Sequence, residues 1–309
     1  MAIRLKKSLF IGLGGTGAEA VLHTKKRFLD AYGEIPPMIG FLVIDTDGGV
    51  LNNKKIYEAD GSSVVLENFE HLHVSCNGAI SIYSNNPSSF LWYPKANTNT
   101  LSALNGLGAG QVRSNGRFIA LHNKVVLANA IQSAVNRISN PIPADSKYML
   151  FKNDSRTYVN VPFSVSGGTG SGTFIEVSNI LRNQLGDEVD IMPYIVLPDV
   201  FNTMASGPSM RNTKPNAYGA LMEMDYLMHL TPNSTPLTTE YGDGQVVYKK
   251  PYDLAVVINN STAEGTTYPH VKDIAELIGL GMFVGSSELS SEVSSPFDNV
   301  KAQIFDKNF

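Results

Sequence analysis

The sequence predicts an α/β protein in which a mostly parallel sheet is covered by helices on both faces. Apolar runs typical of buried strands alternate with stretches of helical periodicity, and this alternation is typical of parallel sheets. Glycine-rich segments fall at the carboxyl ends of strands, where an open α/β sheet binds its ligand. The predicted strands are residues 8–13, 39–45, 158–165, 190–197 and 252–259, and the predicted helices are residues 17–32, 114–138, 173–185, 215–229 and 269–284.

Composition indicates a compact globular chain. With 309 residues and 43% hydrophobic content, the chain can bury a large core without disulfide support. The single cysteine, Cys76, excludes an internal disulfide framework and a cysteine-based zinc cluster. The net charge of −4 gives no electrostatic case for nucleic-acid binding. No apolar run approaches the ~20 residues that span a bilayer, so we expect a cytoplasmic protein without a membrane span.

The strongest local signal is the segment Ser-Gly-Gly-Thr-Gly-Ser-Gly at residues 166–172, which directly follows an apolar run. Glycine lets backbone N–H groups approach an anion closely, and a helix beginning near Thr173 would direct its positive end at the same point. The hydroxyl groups of Thr169 and Ser171 would add donors, and a Cβ at Gly168 is expected to intrude on the anion's path. The segment therefore predicts a phosphate-binding loop, with a flexible turn as the alternative.

Two further glycine-rich segments support this interpretation. Residues 12–17 have the GxGxxG spacing of Rossmann-like dinucleotide-binding proteins, and Asp45 and Asp47 end a strand about thirty residues later, where such proteins place a ribose-binding acid. Taken alone, this pair would predict an NAD(P)-dependent oxidoreductase. However, residues 106–117 form a third glycine-rich segment with two arginines. A nicotinamide-binding fold has no need of three phosphate-type loops.

These motifs, in this order, resemble the tubulin/FtsZ superfamily of GTPases. Residues 166–172 are similar to the signature GGGTGSG, with Ser166 in place of its first glycine. Residues 11–17 resemble the first nucleotide loop of the family, and residues 44–47 resemble the FtsZ segment with the pattern N-T-D. Residues 106–117 match the spacing of the FtsZ loop GLGAGxxPxxGR, although Ser114 replaces its glutamate. The likeness is greatest to the diverged bacterial tubulin-like proteins.

The resemblance implies a Rossmann-like domain that binds GTP or GDP with Mg²⁺ between the phosphates. The residues that it places around the phosphates are Gly14, Gly15, Thr16, Gly17, Gly167, Gly168, Thr169, Gly170, Ser171 and Gly172, with Gly108, Ala109 and Gly110 closing over the terminal phosphate. Asp45 or Asp47 would orient waters of the magnesium ion. Arg117 falls on the arginine of the FtsZ loop, which implies a contact to the ribose.

Two asparagines are candidates for reading the guanine base. Asn259 ends an apolar strand in the place of the FtsZ guanine-binding asparagine, and an amide can pair with the edge of guanine. Asn216 resembles the corresponding tubulin asparagine, but it opens a predicted helix, where capping is the alternative role. We prefer Asn259 for this reason. Tyr268 precedes the last predicted helix, where the family places an aromatic ring against the base.

The resemblance also implies a catalytic acid that acts on the nucleotide of a neighbouring subunit. Asp298 is the candidate, because residues 296–300 are similar to the FtsZ pattern N-x-D-F-A-D. We expect a GTP-binding domain over residues 1–285, including the core helix at its end, and the start of a truncated or absent second domain over residues 286–309. GTP hydrolysis would be slow or dependent on assembly into head-to-tail filaments of a cytoskeletal or scaffold type, and we expect this chain alone to associate weakly. The alternatives are the oxidoreductase and a non-catalytic scaffold that nucleotide stabilises.

Overall fold

A computed structural model of the chain describes residues 2–57, 60–151, 156–186, 188–201, 208–230, 237–238, 246–247 and 250–290. Its strands are β1 (Ile3–Leu5), β2 (Lys7–Leu13), β3 (Ile39–Asp45), β4 (Ile56–Tyr57), β5 (Ser63–Val64), β6 (His71–His73), β7 (Tyr148–Leu150), β8 (Thr157–Ser164), β9 (Val189–Val196), β10 (Leu237–Thr238), β11 (Val246–Val247) and β12 (Val256–Ile258). Its α-helices are α1 (Gly14–Tyr32), α2 (Gly48–Asn53), α3 (Ala79–Asn85), α4 (Arg113–His122), α5 (Lys124–Ile138), α6 (Gly168–Leu185), α7 (Thr213–Met228) and α8 (Val271–Ser286). Short 3-10 helices span Pro87–Phe90, Lys95–Ala103, Pro198–Phe201 and Pro208–Asn212. Among these helices, none has the length and apolar character needed to cross a bilayer.

Six strands form a central sheet in the order β12-β9-β8-β2-β3-β6, and every pairing within it is parallel. The predicted α/β class with a mostly parallel sheet is therefore confirmed. The register places Leu13, the last residue of β2, beside Ile44 of β3 and beside Phe163 of β8. The segments that follow these three strands consequently start side by side, at the edge where an open parallel sheet binds its ligand.

The sheet separates two hydrophobic cores, and alternate residues of β2 enter different ones. Leu9 and Ile11 pack in the core that also contains buried side chains of α5 and α6. Phe10 packs in the other core with Phe28 of α1 and with buried side chains of α8. A strand that is buried on both faces contains apolar residues at consecutive positions. This burial explains why the predicted strands stood out as unbroken apolar runs.

Two helices begin earlier than the sequence predicted. α1 starts at Gly14 rather than at residue 17, and α6 starts at Gly168 rather than near Thr173. Most of the glycines at residues 14–17 and 168–172 therefore lie in first helical turns and not in loops that precede the helices. Glycine is a poor helix former, but close packing requires it here. A Cβ at Gly172 would lie 2.4 Å from the backbone oxygen of Arg113, so glycine permits α4 to approach α6.

Further differences from the sequence prediction include the division of one helix, the length of β12 and the presence of β6. The helix predicted over residues 114–138 is divided at Asn123, whose side-chain amide donates to the carbonyl oxygens of Ser75 (2.8 Å) and Ile119 (2.9 Å). The strand predicted over residues 252–259 is shorter, since β12 has three residues. β6 joins the central sheet from a polar stretch for which no sheet strand was predicted.

Candidate functional site

Two long helices begin at one cavity beyond the carboxyl ends of β2 and β8. The cavity has a volume of about 390 Å³ and is lined by the first turn of α1, by residues 166–170 and by the apolar side chains of Phe201 and Met210. None of its described lining residues carries a charge. Any anion bound there would therefore depend on backbone dipoles, hydroxyl groups or an added cation.

The N-termini of both helices at this cavity lack a side-chain cap. Leu13 and Gly167 occupy the two N-cap positions without making a capping hydrogen bond, and neither helix has an acidic residue in its first turn. The first N–H groups of a helix have no partner within the helix and carry the positive end of its dipole. Two such ends at one neutral cavity favour an anionic ligand.

The structure divides the residues predicted to contact phosphate into two groups. Those that line the cavity are Gly14, Gly15, Thr16, Gly167, Gly168, Thr169 and Gly170. Gly17, Ser171 and Gly172 lie outside this lining. A Cβ at Gly17 would lie 2.3 Å from the backbone oxygen of Pro162, and the Ser171 hydroxyl donates to the backbone oxygen of Gly167. Gly17 therefore packs α1 against the sheet, Ser171 bonds within the start of its own helix, and Gly172 packs α6 against α4. Contact of these three residues with phosphate stays a prediction.

Gly168 lines the cavity and also packs against segment 106–112. A Cβ at this position would lie 2.8 Å from the Cβ of Ala109 and 3.1 Å from the backbone nitrogen of Gln111. A side chain there would displace the neighbouring segment 106–112, and its intrusion on the anion's path stays a prediction. At Gly167, by contrast, a side chain would meet no protein atom, because nothing lies within 4 Å of a Cβ built on it. Its φ of −83° suits any residue.

Backbone hydrogen bonds join segment 106–112 to the turn that follows β3. The Gly108 N–H donates to the backbone oxygen of Thr46 at 3.1 Å, and the Gly48 N–H donates to the backbone oxygen of Gly106 at 3.4 Å. Gln111 lines the cavity, whereas Gly108, Ala109 and Gly110 lie outside its described lining. Closure of these three residues over a terminal phosphate stays a prediction.

Of the two candidate carboxylates, Asp45 lies beside the first turn of α6, whereas Asp47 forms a β-bridge to Leu107 and accepts from the N–H of Gly49 at 2.9 Å. Asp45 is buried, and its Oδ1 accepts hydrogen bonds from the backbone of Thr46 (2.7 Å) and Asp47 (3.2 Å) and from the hydroxyl of Thr169 (3.1 Å). Its Oδ2 is buried without a hydrogen-bond partner among the described residues. Burial raises the pKa of the Asp45 carboxyl above its ordinary value, and the hydrogen bonds oppose this rise. A cation beside Oδ2 would satisfy the oxygen and favour its charged form.

Sequence reasoning missed three polar groups around this site. The hydroxyl of Thr46 lies 2.6 Å from that of Thr169, and the ring of His73 contacts the backbone oxygen of Thr46 through Nε2 at 3.2 Å. Ser166 lines the cavity, and its buried hydroxyl has no hydrogen-bond partner among the described residues. Thr46 stands between the two acids of the motif at residues 44–47, which was the available signal.

Comparison with known proteins identifies the family. A family model described as tubulin like matches residues 9–309. The chain belongs to this tubulin-like family. No curated protein matches its sequence.

The chain is also similar to solved structures of CetZ and FtsZ proteins. CetZ from Methanosaeta thermophila strain DSM 6194 has 16% identity and a TM-score of 0.49, over 89% of this chain and 52% of that chain. CetZ2 from Haloferax volcanii, in a GTPγS-bound protofilament, has 14% identity and a TM-score of 0.48, over 90% and 58%. An empty FtsZ dimer from M. jannaschii has 15% identity and a TM-score of 0.46, over 92% and 56%. This tubulin-like chain thus spans little more than half the length of these proteins.

The preferred guanine residues of this tubulin-like protein lie at the β12 end of the sheet. Asn259 follows β12 and is exposed, with its Oδ1 accepting from the N–H of Asn260 at 2.8 Å. Tyr268 is half-buried, and its N–H donates to the backbone oxygen of Asn260 at 2.7 Å. Both residues lie at the same edge of the sheet as the cavity but outside its described lining. Their contact with a base stays a prediction.

Asn216, the competing guanine candidate, is buried and committed to the protein itself. Its Nδ2 donates to the backbone oxygens of Ser166 and Gln111, both at 2.9 Å. The predicted capping alternative is wrong, because α7 has no side-chain cap at its N-terminus and Asn216 lies within the first turns of the helix. The amide instead links two segments that line the cavity.

The remaining two candidates, Arg117 and Asp298, are not among the described residues that line the cavity. The guanidinium of Arg117 stacks over Trp92 at 4.6 Å and pairs with the buried Glu176 at 3.6 Å, and it lines a neighbouring cavity. A ribose contact for Arg117 stays a prediction. Asp298 lies outside the described residues, as does most of the expected second domain.

Proposed function

We propose that this tubulin-like protein binds a guanine nucleotide, with the phosphates in the cavity between the first turns of α1 and α6. The observation that carries the proposal is the convergence of two uncapped helix N-termini on one cavity whose described lining is uncharged. These ends supply N–H donors and positive partial charge to phosphate oxygens. A nicotinamide dinucleotide uses one such end for its pyrophosphate, so the second end favours the tubulin-like interpretation over the oxidoreductase.

We further propose that Mg²⁺ accompanies the nucleotide. The described lining contains no cationic side chain, so the helix ends would offset only part of the phosphate charge. The unpartnered Oδ2 of Asp45 and the carboxylate of Asp47 are oxygen donors of the kind that Mg²⁺ prefers, commonly through water. The ion would neutralise charge between the phosphates, and the two carboxylates would hold its waters.

For the base, we propose Asn259 and Tyr268. The amide of Asn216 is engaged by two backbone carbonyls, whereas that of Asn259 is exposed at the end of β12. The sheet order places β12 on one side of the cavity and β3, with its carboxylates, on the other. A nucleotide with its base near β12 would therefore extend its terminal phosphate towards β3.

Hydrolysis and assembly are proposals that family membership supports. Hydrolysis would be attack of water on the terminal phosphoryl group, promoted by positioning and electrostatics. Head-to-tail contacts between copies would form filaments where they do not close. GTPase rate and light scattering measured across a protein concentration series test both proposals, and a steep rise in both that Asp298→Ala abolishes would assign the in-trans acid.

The test of nucleotide identity has two steps. Nucleotide released by denaturing the purified protein is identified by chromatography, and the emptied protein is then titrated with GTP, GDP and ATP in the presence of Mg²⁺. We expect the released nucleotide to be a guanine nucleotide. If the purified protein is empty, it should bind GTP and GDP at least about ten-fold more tightly than ATP, because adenine leaves the polar groups that pair with guanine without partners. Released nicotinamide dinucleotide, or equal affinity for ATP and GTP, would refute the proposal.

A further inference from the structure

A single side-chain amide joins three segments of the candidate site. Asn216, on α7, donates through Nδ2 to the backbone oxygen of Ser166, directly before the first turn of α6, and to that of Gln111, in segment 106–112. Its Oδ1 lies 3.4 Å from the N–H of Arg113, which begins α4. The residue is 5% exposed, so these contacts form in a largely water-free environment where they are strongest.

The carbonyl that Asn216 holds belongs to a residue in an unfavourable backbone conformation. Gln111 has a φ of +56° and is the only residue other than glycine with a positive φ in the described part of the chain. Such a conformation costs on the order of 1 kcal/mol or more and persists where its surroundings enforce it. Since Gln111 lines the cavity, the enforced conformation lies at the candidate site.

A second contact fixes α7 against the start of α4, which directly follows segment 106–112. The guanidinium of Arg113 pairs with both carboxylate oxygens of Glu223, with Nη1 and Oε1 2.8 Å apart, two turns further along α7 than Asn216. This pair is partly exposed, so it contributes less than the buried amide. Glu223 touches neither Gln111 nor Ser166 in the described contacts, which makes it a useful control.

We infer that Asn216 is a positioning residue that holds segment 106–112 closed against residues 166–170 and thereby sets the preference of the site for a nucleotide with a terminal phosphate. The inference rests on the proposed function. A backbone hydrogen bond joins segment 106–112 to Thr46, directly after β3. β3 lies on the side of the cavity away from β12. A terminal phosphate directed towards β3 meets this segment, and a diphosphate does not extend as far.

The test compares GTP and GDP affinities of wild-type protein, Asn216→Ala and Glu223→Gln by calorimetric titration with Mg²⁺. In Asn216→Ala, we expect GTP affinity to fall by about ten-fold or more and GDP affinity by less than about three-fold, because the loss of buried hydrogen bonds releases the segment that contacts the terminal phosphate. Glu223→Gln should leave the GTP-to-GDP ratio near that of wild type. A purely structural role for Asn216 would lower both affinities equally and would overturn the inference.

A rescue experiment separates positioning from general stability. Glycine adopts a positive φ without strain, so Gln111→Gly added to Asn216→Ala should restore part of the GTP-to-GDP ratio. A purely structural role would not be rescued by a change at residue 111. If Asn216→Ala does not fold, Asn216→Ser, which keeps one donor, should give an intermediate ratio, and a wild-type ratio in that variant would contradict the inference.

Hydrogen exchange distinguishes failure of this inference from failure of the proposed function. In protein without nucleotide, Asn216→Ala should speed amide exchange in segment 106–112 and leave α8 unchanged. If wild-type protein binds no guanine nucleotide, the proposed function fails and the nucleotide preference fails with it. If nucleotide binds but the ratio and the exchange of segment 106–112 are unaffected by Asn216→Ala, the inference alone is wrong.

Discussion

The hydroxyl groups of Thr46 and Thr169 lie 2.6 Å apart, and this contact joins the carboxyl end of β3 to the first turn of α6. Thr169 also donates to Oδ1 of Asp45 at 3.1 Å. In the sheet, β2 lies between β3 and β8, the strand that precedes α6, and α1 begins directly after β2. The candidate cation ligands and the candidate phosphate turn are therefore linked directly across the beginning of α1.

The link predicts the effect of removing the Thr169 hydroxyl. Thr169→Val keeps the side-chain shape but leaves Asp45 and Thr46 without this partner, so we expect a loss of ~1 kcal/mol in the free energy of unfolding and weaker Mg²⁺-dependent nucleotide binding. Urea denaturation and GTP titration measure the two effects. Thr173→Val is the matched control, since that hydroxyl bonds only a backbone oxygen of its own helix in the described contacts. Equal GTP affinity in the two variants would contradict the account.

A carboxylate variant tests the cation site. If Asp45 holds waters of Mg²⁺, chelation of the metal should weaken GTP binding to wild-type protein by about ten-fold or more, whereas GTP binding to Asp45→Asn should respond much less. Titrations with and without a chelator give the comparison. Asp60→Asn, at an exposed carboxylate, should respond to chelation as wild type does. A full response to chelation in Asp45→Asn would remove Asp45 from the site.

The candidate base residue can be tested with a nucleotide that lacks one group of guanine. Inosine triphosphate has no exocyclic amino group, so wild-type protein should prefer GTP to it by about ten-fold. Asn259→Ala should lose this preference, because the amide that pairs with the amino group is absent. Asn216→Ala should retain it, since that amide contacts the protein. The reverse outcome would exchange the assignments of the two asparagines.

A buried histidine predicts a pH dependence of stability. His23 lies between α1 and α8, and burial lowers its pKa below the ordinary 6.5, although Glu276 and Glu19 oppose the effect. The unfolded state therefore binds the proton more readily, so stability is full above about pH 6.5 and declines as the pH falls from there towards the folded pKa. Urea unfolding at several pH values should show a smaller acid-side decline in His23→Gln than in wild type. His229→Gln, at an exposed histidine, should not reduce the decline.

The strands were predictable because burial on both faces leaves a direct mark on the sequence. β3 has the predicted bounds, residues 39–45, and β2 differs by one residue. The helix starts were not predictable in the same way. Gly168 and its neighbours look like a loop by propensity, and the packing that makes them helical involves α4, more than fifty residues away in the chain.

The site was predictable where one segment carries its own chemistry. The glycine-rich turns and the acids after β3 were found because each follows a buried strand. The role of Asn216 could not be found, because it depends on partners 50 and 105 residues distant in sequence. The strained backbone of Gln111 likewise leaves no mark on the sequence, since glutamine is not a residue that favours a positive φ.

GTP titration of Gly167→Ala tests whether the cavity between α1 and α6 binds nucleotide phosphates. A methyl group on Gly167 meets no protein atom within 4 Å, so the fold should persist, and the methyl would occupy space beside the phosphates. Gly281→Ala, on the exposed side of α8 and equally free of contacts, is the control. We expect Gly167→Ala, with an unfolding midpoint near that of wild type, to lose about ten-fold or more in GTP affinity, whereas Gly281→Ala should bind GTP as wild type does. Unchanged GTP affinity in a folded Gly167→Ala variant would contradict phosphate binding in this cavity.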